Sequence, residues 1–451
     1  MPVNLLSVGI SGVSAAEAEI AATESNIANA SNPNYSAESV NLAARPDASG
    51  GGAGVDVLQT VRAQAPFLDA EINGTQSTQS YNDAFSQVAT LAQQVVSPTS
   101  GVDLSQALQN LFNAFTNLSA SPQDATARQS VINGAANFAQ VAQSVSSSLQ
   151  TTVNNELSQL PTLVTQVNHI SGQIAQLNGQ ILSAQAGGQS AAALMDQRDG
   201  LTGQLAGLIG ATADGNGNVT VGGVPLVSGG TSLTLGITGS GASTGLQVIL
   251  PKGSIQIQLS QVSGTIGGVM AGASGVTTLL GQLNDFATSV ATALNTQHAS
   301  GFGLDGSTGN PLFLIPGSPG PIAINPAINV QNLAASATAA GVPGDGSNVS
   351  AMAAVANQQG LDAAYTNMTF GQAFAQITSE FGSIVQKANN DQQQAASSLQ
   401  SLSALKSSIT GVSLNDQLTH LVEYQNLLQA AGRAVQAAND MTTYLLQEIS
   451  Q

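Results

Sequence analysis

The residues that could do chemistry are few and lie far apart. Gly241-Ala242-Ser243-Thr244-Gly245 has the form of a nucleophile elbow, G-x-S-x-G. That elbow needs a strand before it, a helix after it, and histidine and acid partners. Here the run after it, LQVILP, reads as a strand, and the chain holds 48 glycines. A Gly/Ser turn in a hairpin is therefore the better reading, and an extracellular hydrolase built on Ser243 stands as an alternative. His169, His298 and His420 are widely separated, with no H-x₃-H or H-E-x-x-H spacing to hold a metal. Asp214, Asn216 and Asn218 open like a calcium loop, but Val219 occupies the glycine position and no glutamate closes it. There is no phosphate-binding G-x-x-x-x-G-K. Arg198, within Gln197–Asp199, could hold an anion, although an ion pair on or between helices is the simpler use. Asn29, Asn73 and Asn348 begin N-x-S/T triplets, as chance provides in a chain this rich in Asn, Ser and Thr. No catalytic residue, cofactor or metal is expected.

The composition narrows the partners. At 451 residues the chain is long enough for about three domains. Charged residues make up 7%, where soluble domains carry roughly 25%. Eight cations against 25 acids leave a net charge of −17, which excludes phosphate-backbone binding and disfavours anionic membranes. The absence of cysteine rules out disulfides and thiolate chemistry. It fits a cytosolic protein and equally one exported unfolded. The first cation is Arg45 and no apolar run looks long enough to span a bilayer, so no cleaved secretory signal is expected.

The pattern of elements shows what these residues are attached to. Residues 3–30 read as a helix in which Leu6, Val13, Ile20 and Ile27 recur every seven positions, widened by Ile10 and Ala16. That spacing suits packing on a partner helix. Asn32 and Pro33 stop it. Residues 36–64 alternate as two strands around a Gly-rich turn, and 65–96 return to helical spacing. Asp103 with Gln106 has the form of a capping box, and Ser121-Pro122-x-Asp124 reads as a cap, a first-turn proline and an acid. The helical stretch that follows to about 186 should kink or break at Pro161. A further helix is closed by Gly210. Residues 211–263 carry hairpin signals between short β-rich runs. A helix from about Val269 to His298, an irregular region to about 365 and two helices over roughly 370–408 complete the middle. The last helix, Leu414 to Ile449, carries one apolar stripe that includes Leu418, Leu421, Leu428, Val435, Leu445 and Ile449 at an average spacing of 3.5. The fold class is thus mainly α with an inserted β domain. Paired N- and C-terminal coiled-coil helices (1–35 plus 410–451) flank a helical-bundle body (36–210 plus 264–409) and a small β-rich outer domain (211–263). Isolated striped helices need a partner surface, so the two ends are expected to pair with each other and with further copies.

The stretch SGVSAAEAEIAATESNIANASNPNYS, residues 11–36, resembles the N-terminal signature of the bacterial flagellar rod, hook and junction axial proteins. Its corner motif comprises Asn26, Asn29, Asn34 and Tyr35. Asn34 stands where the family usually has glycine, and asparagine tolerates a left-handed backbone, so the turn is expected to survive with Tyr35 packed at the corner. LMDQRDGLTGQL, LNTQHASGFGLDGSTGNPLF, SPQDATARQSVINGAANFAQ and the C-terminal helix are similar to the hook–filament junction branch of that family. The resemblance implies a structural protein without enzymatic activity, exported through the flagellar type III apparatus to the extracellular flagellum. It implies a ring of copies on the hook protein, carrying the second junction protein and then the filament, with a cytosolic export chaperone before secretion. It implies neither nucleic-acid nor membrane partners. The stripe residues Leu6, Val13, Ile20, Ile27, Leu418, Leu421, Leu428, Val435, Leu445 and Ile449 would form the assembly interface. Another axial protein, such as a hook protein or the second junction protein, is the near alternative. A monomeric adhesin or effector is the more distant one.

Overall fold

A computed structural model of the chain describes residues 2–46, 52–96, 103–316, 322–360 and 364–449. The N-terminal helix α1 (Pro2–Asn29) leads into an antiparallel hairpin, β1 (Glu38–Pro46) and β2 (Gly52–Arg62). The helices α2 (Pro66–Val96), α3 (Leu104–Ala120), α4 (Ala125–Leu157), α5 (Leu160–Ala186) and α6 (Ala192–Ile209) follow. Seven short strands come next. β3 (Thr212–Ala213), β4 (Val219–Val221), β5 (Val224–Ser228) and β6 (Thr231–Ser232) form one sheet. β7 (Thr234–Thr238), β8 (Gly245–Leu250) and β9 (Gly253–Ile257) form a second. The chain returns through α7 (Gly264–Ala299), a two-stranded ladder β10 (Phe313–Leu314) and β11 (Ala323–Ile324), α8 (Ser347–Ala354) and α9 (Phe370–Thr410) to α10 (Leu414–Ile449).

Local signals account for most boundaries. The Asp103 carboxylate accepts from the Ser105 and Gln106 N–H groups and starts α3. The capping box is only half made, because the Gln106 side chain turns forward to Asn110. Asp124, not Ser121, caps α4, its carboxylate accepting from Thr126 and Ala127 N–H. A carboxylate is the stronger acceptor there, and Ser121 instead ends α3. Pro161 sits in the first turn of α5, where its missing N–H costs nothing. Gly210 ends α6 in the left-handed conformation. Gly222 and Gly223 both take positive φ and make the two-residue turn between β4 and β5.

Two points differ from the sequence reading. The two helices expected over 370–408 are one 41-residue helix, capped by a full Thr369–Gln372 box. The polar run Asn389–Gln394 lies on it: Asn389 meets Ser86 of α2, and Lys387 pairs with Asp391. Second, two helical segments, Leu5–Asn29 and Gly264–Ala299, are long and apolar enough to cross a membrane by length and composition. Their apolar character is spread over Ala, Gly and Ser, so a search for uninterrupted runs misses it. α7 is largely buried in the body and α1 lies against α10.

The body has two hydrophobic cores. One is shared by α2, α3, α4, α7, α8 and α9 and includes Leu111, Phe115, Phe138, Phe286, Phe313 and Phe370. Phe286 packs edge-on to Phe370 with ring centroids 5.9 Å apart, and Phe138 does the same with Phe313 at 6.2 Å. α7 can lie this close to α2 because Gly268 faces it; a Cβ there would sit 2.2 Å from the Tyr81 carbonyl oxygen. The second core joins α5, α6 and the start of α7 to the strands through Ile174, Leu205, Val219, Val227, Val248 and Ile266.

Candidate assembly interface

α1 and α10 run antiparallel. Gly9 faces Val435, where a Cβ would meet Val435 Cγ2 at 2.8 Å, and Gly12 faces Ala431 at 3.3 Å. Further along, Asn26 Nδ2 donates to Gln417 Oε1 at 3.0 Å. The approach is close because the residues in the seam are small. α1 buries Ser11, Ala15, Ala16, Ala22 and Thr23 beneath α10 and the hairpin, and α10 buries Ala438. Helix separation is set by the side chains at the contact, so glycine and alanine draw the axes together. Ser11 also ties α1 to the hairpin by accepting the Val55 N–H at 3.1 Å.

Many of the large apolar side chains point elsewhere. Leu5, Val8 and Ile10 of α1 are exposed, Ile10 by 52%. On α10, Leu414, Leu418 and Val422 recur every fourth residue as one exposed row, and Leu427, Met441, Tyr444, Leu445 and Leu446 are exposed too. Of the stripe read from the sequence, Leu6, Val13, Ile20, Ile27, Leu421, Leu428 and Val435 are half-buried in or beside the seam. Leu418 and Leu445 stand in solvent. The Ile449 side chain lies outside the described ones. Sequence reasoning missed Gly9 and Gly12, and it missed the exposed Val422, Leu427 and Leu446. The available signal was a Gly-x-x-Gly step in an Ala/Ser-rich helix and the doublets Leu427-Leu428 and Leu445-Leu446.

The corner between α1 and β1 is organised by Asn26, which is 2% exposed. Its amide donates to the Glu38 carbonyl at 2.9 Å and to Gln417. Its carbonyl accepts the Glu38 N–H at 2.7 Å and the Tyr35 hydroxyl at 2.9 Å. Two donors and two acceptors are the full capacity of an asparagine side chain. Tyr35 also meets Ser25 at 3.1 Å, and burial raises its pKa. Asn29 Nδ2 bonds back to the Ser25 carbonyl. Asn34 does not use the left-handed backbone expected of it, since no non-glycine residue among those described has positive φ. Instead the Asn32 side chain accepts the Asn34 N–H at 3.1 Å and closes the turn.

The LMDQRDGL helix locks this corner to the body. Asp196 and Asp199, three apart on α6, face one way. Asp196 accepts from Arg62 Nη1 at 2.6 Å and from the Ser36 N–H at 3.2 Å. Asp199 accepts from Arg62 Nη2 at 2.5 Å. Arg198 turns toward Asn178 and Gly215 and pairs with its neighbour Asp199 at 3.6 Å, so it is held within its own chain. The Ala37 N–H donates to the Thr410 carbonyl at 2.8 Å, which brings the end of α9 to the same joint. Both terminal helices therefore leave the body at one place. A cleft of about 1030 Å³ opens beside it, lined by Arg62, Asp69, His169, Asp196 and Lys406 among many amides. Lys406 and Asp69 pair across it at 2.6 Å.

The remaining motifs resolve into structural roles. His298 is 1% exposed, with Nδ1 2.7 Å from the Asn310 carbonyl and Nε2 accepting the Ala334 N–H at 3.0 Å. Buried Arg128 donates to the carbonyls of Pro122, Val330 and Leu333. Both hold the segment around Val330–Ala334. Asn348, also buried, donates to the Ala334 carbonyl and is not free for modification. Ser243 is exposed in a 3₁₀ turn between β7 and β8 rather than at a strand–helix elbow. Among the described residues, no group of three His, Asp or Glu could hold a metal ion.

Residues 89–313 match the family of the flagellar hook-associated protein FlgK helical domain. The solved structure of the flagellar hook junction protein FlgK from Burkholderia pseudomallei is similar at 28% identity, with a TM-score of 0.49. The likeness covers 55% of this chain and 46% of that chain, so it spans about half the length of each. A search of curated proteins finds none that matches.

Proposed function

Because residues 89–313 match the FlgK helical domain of flagellar hook-associated proteins, we propose that this chain is a structural subunit of the hook–filament junction, held there by its terminal helices packing on those of further copies. The observation that carries this reading is the inverted burial of the α1–α10 pair. Small residues fill the seam within the chain, while Ile10, Leu418, Val422, Tyr444 and Leu446 face outward. Exposed apolar rows of this kind mark surfaces that another chain covers. In the body the exposed apolar side chains, such as Phe67 and Leu182, are scattered over separate elements around two filled cores, whereas on α10 they form a row.

The proposed setting is extracellular: a ring of copies on the hook protein that receives the second junction protein and then the filament. Export through the flagellar type III apparatus, with a cytosolic chaperone on the chain beforehand, fits a sequence with no cysteine and few fixed charges. The role is structural, with no catalysis at Ser243.

The missing cysteines make the test direct. Val435 sits opposite Gly9. Ile20 is eleven residues further along α1, about 16 Å by helical rise. A disulfide requires Cα atoms within about 7 Å, so cysteines at Ile20 and Val435 cannot bridge within one chain. Crosslinked dimers and higher species on oxidation of the assembled protein are the expected result. Crosslinking absent at every concentration would overturn the reading.

A further inference from the structure

Copies that dock on one another need a register, and the charges on the terminal helices are placed to set one. α1 carries Glu17, Glu19 and Glu24, and α10 carries Asp416, Glu423, Asp440 and Glu448. Arg433 is the single lysine or arginine on either helix. Elsewhere, Arg45, Arg62, Arg198, Lys387 and Lys406 are paired with carboxylates of their own chain, Arg128 holds backbone carbonyls, and Lys252 is exposed in the turn between β8 and β9. Arg433 is exposed and, among the described residues, has no ion pair or hydrogen bond.

The opposite charge waits in the seam. Glu19 lies close to Glu423 and His420, and its Oε2 is shut from solvent with no hydrogen-bond partner. Burial first, and the charge of Glu423 second, raise its pKa. A desolvated carboxylate oxygen without a donor is unfavourable, and so is the second carboxylate beside it; a guanidinium on the exposed Glu423 would relieve that repulsion. Arg433 of the same chain cannot do so. It lies ten residues beyond Glu423 on α10, about 15 Å along the axis.

We propose that Arg433 of one copy pairs with Glu423 of the next, beside the buried Glu19, and that this contact fixes the stagger between neighbouring α1–α10 pairs. The occupant of this face is a second copy of this chain, and the proposal rests on the assembly reading above. The argument is charge complementarity. In a chain with a net charge of −17, self-association brings like charges together, and each contact needs a cation presented outward. The contact is heterologous, so it repeats from copy to copy around a ring or along a helix. Parallel neighbours joined this way are offset by about 15 Å.

The test is a charge swap in the full chain carrying the Ile20/Val435 cysteine pair. Arg433→Glu should lower the crosslink yield at least tenfold. Glu423→Arg alone should do the same, since it sets two cations together, and the double swap Arg433→Glu with Glu423→Arg should recover most of the yield. Both side chains are exposed, so folding is checked by an unchanged unfolding midpoint. Full crosslinking by Arg433→Glu, or a double swap no better than either single change, would overturn the proposal and leave the assembly reading intact. A parent protein that never crosslinks would remove that reading, and the register with it.

Discussion

In the body, the side chains with no exposure include large ones: Phe115, Phe138, Leu111, Leu149 and Ile174. In the α1–α10 pair the enclosed residues are Ala15, Ala16, Ala22 and Ala438, and leucine, isoleucine and tyrosine stand in water. Both regions are long helices of similar composition, so the difference lies in which face meets a partner within the chain. The body fills two cores with its large side chains and leaves scattered ones, such as Phe67 and Leu182, outside. The terminal pair makes a thin alanine and glycine seam and keeps its larger apolar surface outside. Stability and association should therefore respond to different residues.

The largest effect belongs to the body. Phe286→Ala empties a site between Phe370 and Phe374. It should cost about 3–5 kcal/mol of unfolding free energy in a denaturant titration. A loss under about 1 kcal/mol would mean that this core is loosely packed and would weaken the contrast. The joint between the regions comes next. Asn26→Asp puts an oxygen in place of the amide that donates to Glu38 and Gln417. A cost of about 1–3 kcal/mol is expected, read as lost hydrogen-exchange protection at Glu38 and Ala37 with the α3 and α7 amides unchanged. Spread of that loss into the body would show the two regions to be one cooperative unit.

Acid should move the two regions in opposite directions. His298 is buried between backbone groups, and its pKa is lowered from 6.5, by burial first, with the Asn310 contact opposing. The unfolded chain then takes up the proton first as pH falls below about 6.5, so the body loses stability through that range. Glu19 has its pKa raised above 4.5. Its charged form disfavours the seam at neutral pH, and that penalty fades as pH falls toward 4.5. Denaturant midpoints at pH 7.5, 6 and 5 should fall in the parent and fall less in His298→Gln. Exchange protection of the α1 amides should rise with acid in the parent and stay flat in Glu19→Gln. The same sign in both regions would contradict the separation drawn here.

The sequence was legible where a local rule decides. The ends of α1, α6 and α10 follow from Asn32-Pro33, Gly210 and the stripe that starts at Leu414, and the β4–β5 turn follows from Gly222-Gly223. It was misleading where a tertiary contact decides. The two helices expected over 370–408 are one, and its polar Asn389 meets Ser86 of α2. Asn34 stays right of the left-handed region because Asn32 supplies the turn hydrogen bond. Leu6, Val13, Ile20 and Ile27 do share a stripe, but the heptad alone does not say how deeply it is buried. That depended on Gly9 and Gly12 letting Val435 and Ala431 come close. Arg128 and His298 belong to motifs whose purpose appears only once the backbone at Leu333 and Ala334 is seen bonded to them.

The most direct measurement takes the exposed row itself. Leu418→Ser with Val422→Ser should be followed by unfolding free energy and by sedimentation of the assembled state in the same preparation. The account predicts stability within about 0.5 kcal/mol of the parent, as for surface positions, together with loss of association. A drop of about 2 kcal/mol or more with association unchanged would contradict it, because those leucine and valine side chains would then be serving the fold of their own chain.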